Sequence, residues 1–434
     1  MKQFFKATFR PSALRLFVLP VLFLFLHGCA GLRSVQIVSL PTGYPEEKIE
    51  RNQFVVAKDD DVIGRLAAIR IQKGDTLPDV ARHFSLGLNE ISVANPGVDL
   101  WVPEAGKRIL LPLRFILPDA PRKGIVINLA AMRLFQFREN GEFLEVATYP
   151  VGIGTEERPS PEGQMSVTAK RTRPSWHVPA SIAKDHRDKG DALPPVVPPG
   201  PLNPLGEYAL YLSRSSYLIH GTNKPASIGL KATNGCIRLY PENIDKLYAT
   251  TPVNTPVRIV NQPYLVGQRQ GVVYISVHIP VDDTDALELE KTYLKLRQIQ
   301  RKSGRKIEWG KVERALAEAS GIPVAISGIP PGMDNDAEKT IFVRHPGKLY
   351  GKPEIPEMTT TGWYLLAGSL RDAKDAAKLA AIINRQGPPI PARVLAKSDK
   401  YRIVAGPFSS GSEAKVAMKR LKIDLGIDAI LLEP

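Results

Sequence analysis

His220-Gly221-Thr222-Asn223-Lys224-Pro225-Ala226-Ser227-Ile228-Gly229-Leu230-Lys231-Ala232-Thr233-Asn234-Gly235-Cys236-Ile237-Arg238-Leu239 is the stretch around which this 434-residue chain is organised. Leu218-Ile219, just before it, reads as the end of a β-strand that delivers His220 to a sheet edge. Cys236 follows 16 residues after His220. Gly235 before it lets the backbone approach a ligand closely and take turns that other residues resist. A cysteine needs a nearby base to become a thiolate at neutral pH, and a histidine on a neighbouring strand is the usual supplier. Consecutive backbone N–H groups at such a turn can stabilise an oxyanion. Cys29 is the only other cysteine, which excludes a disulfide-stapled scaffold and a cysteine-rich metal site. No histidine and carboxylate set has zinc spacing. A lone cysteine is more often a small buried hydrophobe, but the flanking His-Gly-Thr and Gly-Cys-Ile-Arg favour the nucleophile.

Around this stretch the pattern is β-rich. Ile125-Val126-Ile127-Asn128-Leu129 and Met132-Arg133-Leu134-Phe135-Gln136-Phe137 flank a turn, and Asn140-Gly141 marks a tight hairpin. A proline-dense loop runs from Pro194 to Pro204. A β-sandwich or barrel is the architecture expected for 124–260.

The segment resembles the active site of the L,D-transpeptidase (YkuD) family, whose motif is a histidine followed about 14 to 17 residues later by Ser/Thr-His-Gly-Cys. Thr233, Gly235 and Cys236 match, as do Asn128, Leu134, Val151-Gly152, Pro161-Glu162-Gly163 and the run Pro199 to Gly206. The resemblance implies Cys236 as nucleophile and His220 as general base, with Gly221 orienting the histidine through its carbonyl. It implies the N–H groups of Gly235 and Cys236 as part of the oxyanion hole, with Thr233 in support. Arg238 is expected either to meet a substrate carboxylate or to brace the loop, and Thr222 to line the substrate site. One position departs: Asn234 stands where the family usually has histidine. Asparagine can donate a hydrogen bond to the intermediate but cannot relay a proton, so it is expected to cost some rate. The implied reaction is acyl transfer from a tetrapeptide stem with release of D-alanine, needing no cofactor and no metal. Its acceptor would be another stem, a lipoprotein lysine or water, and carbapenems are the implied inhibitors.

The N-terminus reads as an export signal. Lys2, Lys6, Arg10 and Arg15 precede an apolar run from Leu16 to Leu26, and Leu26-His27-Gly28-Cys29 follows. That run covers only about half of a ~30 Å bilayer core, so a spanning helix is not expected. The ending resembles the lipobox of bacterial lipoproteins, which implies removal of 1–28, lipidation of Cys29 and, from Ala30, a periplasm-facing place at the outer membrane. Residues 30–65 read as a tether.

Between 66 and 114, Ile69 to Ile71, Gly74-Asp75-Thr76-Leu77, Val80-Ala81, Phe84, Ile91, Asn95-Pro96-Gly97 and Arg108 to Leu111 read as strand, turn, helix, helix, strand. This resembles a LysM module, which implies binding of N-acetylglucosamine-containing glycans. Residues 261–327 add a β-run and two helices, about 284–303 and 308–319, before a Pro/Gly-rich linker over 328–361. In 362–434, Trp363 to Ser369 aligns with Tyr401 to Pro407 at an offset of 38, each copy followed by a helical run. Strand-helix-strand repeated twice predicts a split βαβ sheet with both helices on one face. The repeat resembles a SPOR domain, which implies binding to glycan strands stripped of stem peptides.

The fold class expected is therefore multidomain, mainly β plus α+β. The formal charge of +14 comes from basic residues spread along the chain, without the arginine-rich or aromatic-interleaved stripe of a nucleic-acid binder. The partners expected are peptidoglycan and, through the anchor, a membrane, with no nucleic acid. Two other readings stay open: a non-catalytic peptidoglycan-binding scaffold, and a cysteine L,D-carboxypeptidase or endopeptidase.

Overall fold

Gly124–Asn128 explains the architecture, because its apolar run is buried on both faces of its sheet. Ile125 and Ile127 enter one core with Leu134, Tyr149, Ile219 and Ile237, whereas Val126 enters another with Phe135, Phe137 and Val146. A strand covered on both sides loses the inside-outside alternation and reads as continuously hydrophobic. The computed structural model describes residues 49–57, 59–188, 190–281, 285–329 and 339–434.

Nine strands form the central sheet, a half-barrel in the order 53–57, 143–150, 133–140, 124–128, 256–260, 163–172, 208–212, 218–220, 237–238. Its concave core is closed by the helix Pro241–Thr250, which starts on a proline at its first turn and buries Ile244 and Leu247. The outer core is shared with the βααβ unit: Leu77, Val80, Phe84 and Ile91 pack in the same cluster as Phe135 and Val146. That unit pairs Ala67–Arg70 with Arg108–Leu111 and carries helices Leu77–His83 and Leu88–Ala94 between them. Thr76 caps the first helix by accepting from the Asp79 amide at 3.3 Å. The βααβ unit is therefore built into the half-barrel's outer face.

A buried ion pair joins the two. Arg133, 1% exposed, donates to both oxygens of Glu90 at 2.8 and 2.7 Å, to Ser85 O at 3.0 Å, and lies 3.9 Å from the Phe115 ring centre. Glu90 also accepts from Gly87 N at 2.6 Å at the start of its helix.

After the half-barrel, strands Tyr264–Arg269, Val272–Val277 and Val324–Ala325 form a small sheet against helices Asp285–Ser303 and Trp309–Glu318. The C-terminal domain has the sheet order 392–397, 400–408, 363–370, 430–432. Ala376, Ala380 and Ile383 of its first helix and Ala414 and Ala417 of its second share the core with Leu365, Ile403 and Ala405, which is the split βαβ arrangement expected from the repeat.

Two segments differ from the sequence expectation. The signal peptide, Cys29 and 30–48 of the tether lie outside the described residues, but the rest of the tether is structured. Gln53–Ala57 adds to the sheet edge opposite Phe143–Pro150, and Val62–Gly64 pairs with Arg114–Ile116. The linker is likewise docked along 339–352: Ile341–Phe342 pairs in parallel with Ala67 and Ala68, and Leu349 is 1% exposed within the outer core. His345 Nε2 and Lys352 Nζ each lie 2.9 Å from an oxygen of Asp75, and Tyr350 N donates to His83 Nδ1 at 2.8 Å. Both segments are short and gain their partners only from strand edges and side chains remote in sequence, so neither has the local periodicity that marks a strand.

The C-terminal domain sits against the segments around 191 and 223–224 and against the βααβ unit. Arg385 pairs with Asp79, Lys224 with Asp424 at 2.9 Å, and Lys419 with Asp191 at 2.8 Å. Gly387 lies so close to Asn223 that a Cβ there would be 1.3 Å from the Asn223 carbonyl oxygen.

Candidate active site

Strand register brings histidine and cysteine together. Leu218–His220 lies between Tyr208–Leu212, its antiparallel partner, and Ile237–Arg238, its parallel partner, with Ile219 opposite Ile237. Cys236, one residue before Ile237, lies alongside Leu218, two positions from His220. Side chains two positions apart share a sheet face, and a strand spacing of ~4.8 Å with a rise of ~3.3 Å per residue separates the two Cα atoms by roughly 8 Å. His220 and Cys236 thus project side by side into the half-barrel's end.

His220 is buried, at 4% exposure. Its Nδ1 lies 2.7 Å from Gly221 O. Because a carbonyl can only accept, Nδ1 carries the proton and Nε2 is left as the acceptor. Gly221 is held by its own amide bond to Tyr208 O at 3.1 Å. Burial, reinforced by the neighbouring Arg238 charge, pushes His220 down to about 3. Cys236 is half-buried, and its thiol lies 3.7 Å from Ser216 O. Burial pushes that thiol up, only partly offset by the backbone at Leu218 and by Arg238. The resting pair is consequently neutral on both sides, with the imidazole in the tautomer that can take a proton.

The turn before Cys236 is braced more heavily than the sequence predicts. Thr233 Oγ1 donates to Cys236 O at 2.7 Å and accepts from Gly235 N at 3.1 Å. The Gly235 amide, expected as an oxyanion donor, is therefore engaged by the neighbouring hydroxyl, and Cys236 N–H remains the donor of that pair to consider. Ser160, which sequence reasoning missed, donates to Gly235 O at 2.9 Å and accepts from Gly154 N at 3.0 Å. Its only sequence signal was its place just before Pro161-Glu162-Gly163. Gly235 itself has φ +101°, and a Cβ there would stand 2.7 Å from the Tyr217 ring. Gly235→Ala should lower kcat about 100-fold, because an ångström of misplacement at the nucleophile costs that much. Circular dichroism should show the variant folded but melting a few degrees below the parent, because alanine is strained at this φ, and full activity would show that the turn tolerates the shift.

Arg238 braces the loop: Nη1 donates to Ser227 Oγ at 2.9 Å, and burial pushes its guanidinium down to about 10. Its Nε is buried without a hydrogen-bond partner. Thr222, expected to contact substrate, is 3% exposed and its hydroxyl accepts from Lys224 N at 2.9 Å, closing the turn after His220. Asn234 is exposed, and its carboxamide oxygen accepts from Arg158 Nη1 at 2.5 Å. A guanidinium only donates, so this contact turns the oxygen of Asn234 toward Arg158 and leaves its NH2 as the group that can donate.

The proline-dense loop closes an excursion over 173–205. Trp176–His177 pairs with Val196–Val197, and the helix Ala180–Asp188 lies between them. Asn203, fully buried, ties its base together by donating to Pro174 O at 2.8 Å and to Val197 O and Pro198 O at 3.2 Å. Among the described residues, no group of three or more side chains converges to hold a metal ion, and no helix is long and apolar enough to cross a membrane.

The comparisons with known proteins fall on this frame. The family model for the L,D-transpeptidase catalytic domain (YkuD) matches 122–259, and that for the SPOR domain matches 359–433. A Salmonella typhimurium protein named probable L,D-transpeptidase ErfK/SrfK is 35% identical over 281 residues, 63% of this chain and 90% of the relative. The Escherichia coli protein named probable L,D-transpeptidase YbiS is 35% identical over 274 residues, 61% of this chain and 89% of that one. Escherichia coli YcfS, also named a probable L,D-transpeptidase, is 38% identical over 215 residues, 48% of this chain and 67% of its own.

Proposed function

The chain belongs to the L,D-transpeptidase (YkuD) family, and we propose that Cys236 and His220 carry its acyl transfer on peptidoglycan stem peptides. It is a periplasmic enzyme of peptidoglycan with a C-terminal SPOR domain. The observation that supports the residue assignment is the 2.7 Å bond from His220 Nδ1 to Gly221 O, which leaves Nε2 as a proton acceptor on the same sheet face as Cys236.

The reaction begins as the Cys236 proton passes to His220 Nε2 and Sγ bonds to the carbonyl carbon of the diamino acid that precedes the terminal D-alanine. The developing oxyanion is met by the Cys236 amide. As the intermediate collapses, the C–N bond breaks and His220 returns its proton to the departing D-alanine amine. A thioester remains. An acceptor amine then attacks it, giving up a proton to His220, which restores the thiol as the C–S bond breaks. The finer parts of the reading are that the acceptor is a second stem or a protein lysine, that carbapenems acylate Cys236, and that Cys29 carries a lipid holding the enzyme at the outer membrane. The βααβ unit is proposed as a LysM glycan binder, which its antiparallel strand pair and Thr76-capped helix support. Two glycan-directed modules beside one catalytic site would raise the local concentration of wall substrate.

The test is incubation of the purified chain with tetrapeptide muropeptides, with mass spectrometry following D-alanine release and product mass. Crosslinked dimers are the expected result. Tripeptides alone would assign the chain to the carboxypeptidases, and no product with retained glycan binding would leave a scaffold.

The neutral resting pair also sets the pH dependence. His220 must be neutral to accept the thiol proton, and its displacement from the ordinary histidine value to about 3 moves the acid limb of kcat/KM down with it. The profile should therefore be flat through pH 6.5, with loss only well below it. An inflection near 6.5 in the free-enzyme profile would contradict this state of His220. The same displacement makes stability present above the unfolded histidine value and lost as pH falls from there toward about 3.

A further inference from the structure

The asparagine that departs from the family motif has a partner, and that partner has a second one. Arg158 stands in the turn 155–160, which is stitched to the nucleophile loop by Thr155 N donating to Thr233 O at 3.0 Å and by the Ser160 bond to Gly235 O. From this position its guanidinium forks. Nη1 donates to Asn234 Oδ1 at 2.5 Å, and Nη2 to Asp185 Oδ2 at 2.8 Å. Asp185 lies on the helix Ala180–Asp188 of the excursion, whose base is closed by Asn203. None of the helix's residues is fully buried, so side-chain contacts at its surface rather than core packing decide where it rests.

We infer that Asn234, Arg158 and Asp185 form a latch that sets the position of the 173–205 excursion relative to Cys236, and so the affinity for the donor stem peptide. These are positioning residues; none is asked to touch the reacting atoms. The chemistry accounts for asparagine at 234. Its carboxamide oxygen accepts from a permanently charged guanidinium at every pH, whereas an imidazole presents an acceptor only while neutral and repels the guanidinium when protonated. The planar fork of arginine is needed to reach two acceptors at once, which a lysine ammonium on a flexible stem does less well.

The inference rests on the transpeptidase reading for its kinetic arm but not for its second arm. Arg158→Ala, Asp185→Asn, Asn234→Ala and the double variant Arg158→Ala/Asp185→Asn are compared with the parent full chain. Kinetics use a tetrapeptide donor, and limited trypsin digestion reads cleavage within the excursion after Lys184 and Arg187. Because the pairs are partly exposed, Arg158→Ala and Asp185→Asn should each raise KM about 5-fold with kcat within about 2-fold of the parent, and Asn234→Ala should raise KM to a similar extent. The double variant should be no worse than the worse single, since both remove one connection. Tryptic cleavage of the excursion should accelerate severalfold in all of them. Asn234→His should likewise raise KM; unchanged KM with a higher kcat would overturn the latch role of Asn234. An unchanged KM and unchanged cleavage in Arg158→Ala, or single effects that multiply in the double variant, would overturn the latch as a whole. If the parent chain releases no D-alanine, the transpeptidase reading fails, and the digestion comparison alone decides whether the excursion is latched.

Discussion

Cys236→Ala will abolish D-alanine release and crosslink formation, with kcat reduced about 10⁴-fold or more, while the fold and the wall-binding surfaces remain. The size of the effect follows from the role proposed for the thiol, since Cys236 is the only cysteine among the described residues, and removal of a covalent nucleophile ranks among the largest single losses in enzymes. The fold should survive because Cys236 is half-buried and the turn around it is held by other groups: Thr233 on both sides, Ser160 on Gly235 O. His220→Ala should cost nearly as much. The two together should cost little more than either alone, because proton transfer and attack are one event. Intact-mass detection of the thioester in the parent and its absence in the variant is the decisive measurement. Persistence of D-alanine release in Cys236→Ala would remove the cysteine mechanism altogether.

Glu90→Ala will produce the largest loss of stability. Arg133 is 1% exposed and its guanidinium is bound by both Glu90 oxygens. Without Glu90 it is a buried charge with only Ser85 O, Thr148 Oγ1 and the Phe115 ring around it. Breaking such a pair costs about 3–5 kcal/mol, and the loss of the Gly87 N bond adds about 1 kcal/mol. Thermal unfolding should move down by roughly 10 °C or more at a few degrees per kcal/mol. The paired replacement Glu90→Leu/Arg133→Met should be far milder than Glu90→Ala, because two apolar groups remove the uncompensated charge as well as the bond. Equal melting of Glu90→Ala and the parent would mean that the βααβ unit and the half-barrel are not joined through this pair.

Much of the site was legible because its chemistry lies in one continuous stretch. His220 ends one strand and Cys236 stands just before the next strand of the same sheet, 16 residues on, and their residue types allow few other chemistries. What the reading lacked were the groups that hold that stretch from outside it. Ser160 and Arg158 are ordinary polar residues in a turn some 75 positions earlier, and no local pattern distinguishes them. The same holds for Gly235, whose amide looked available until the fold turned the Thr233 hydroxyl onto it. Thr222 was expected to line the substrate site, but it is 3% exposed and its hydroxyl closes the turn after His220.

By itself, the sequence determined the β-rich catalytic segment, the cysteine and histidine pair, the split βαβ repeat at the C-terminus and the strand-helix-helix-strand order of 66–114. These depend on local periodicity and on residue chemistry at short spacing. Only the tertiary structure decided that the βααβ unit shares a core with the half-barrel, that 53–57 and 339–352 are docked segments, and that Asn234 meets Arg158. The physical reason is common to all three. An edge strand finds its hydrogen bonds, and a surface side chain its charged partner, on segments distant in the chain, and a linear pattern does not record which distant segments become neighbours.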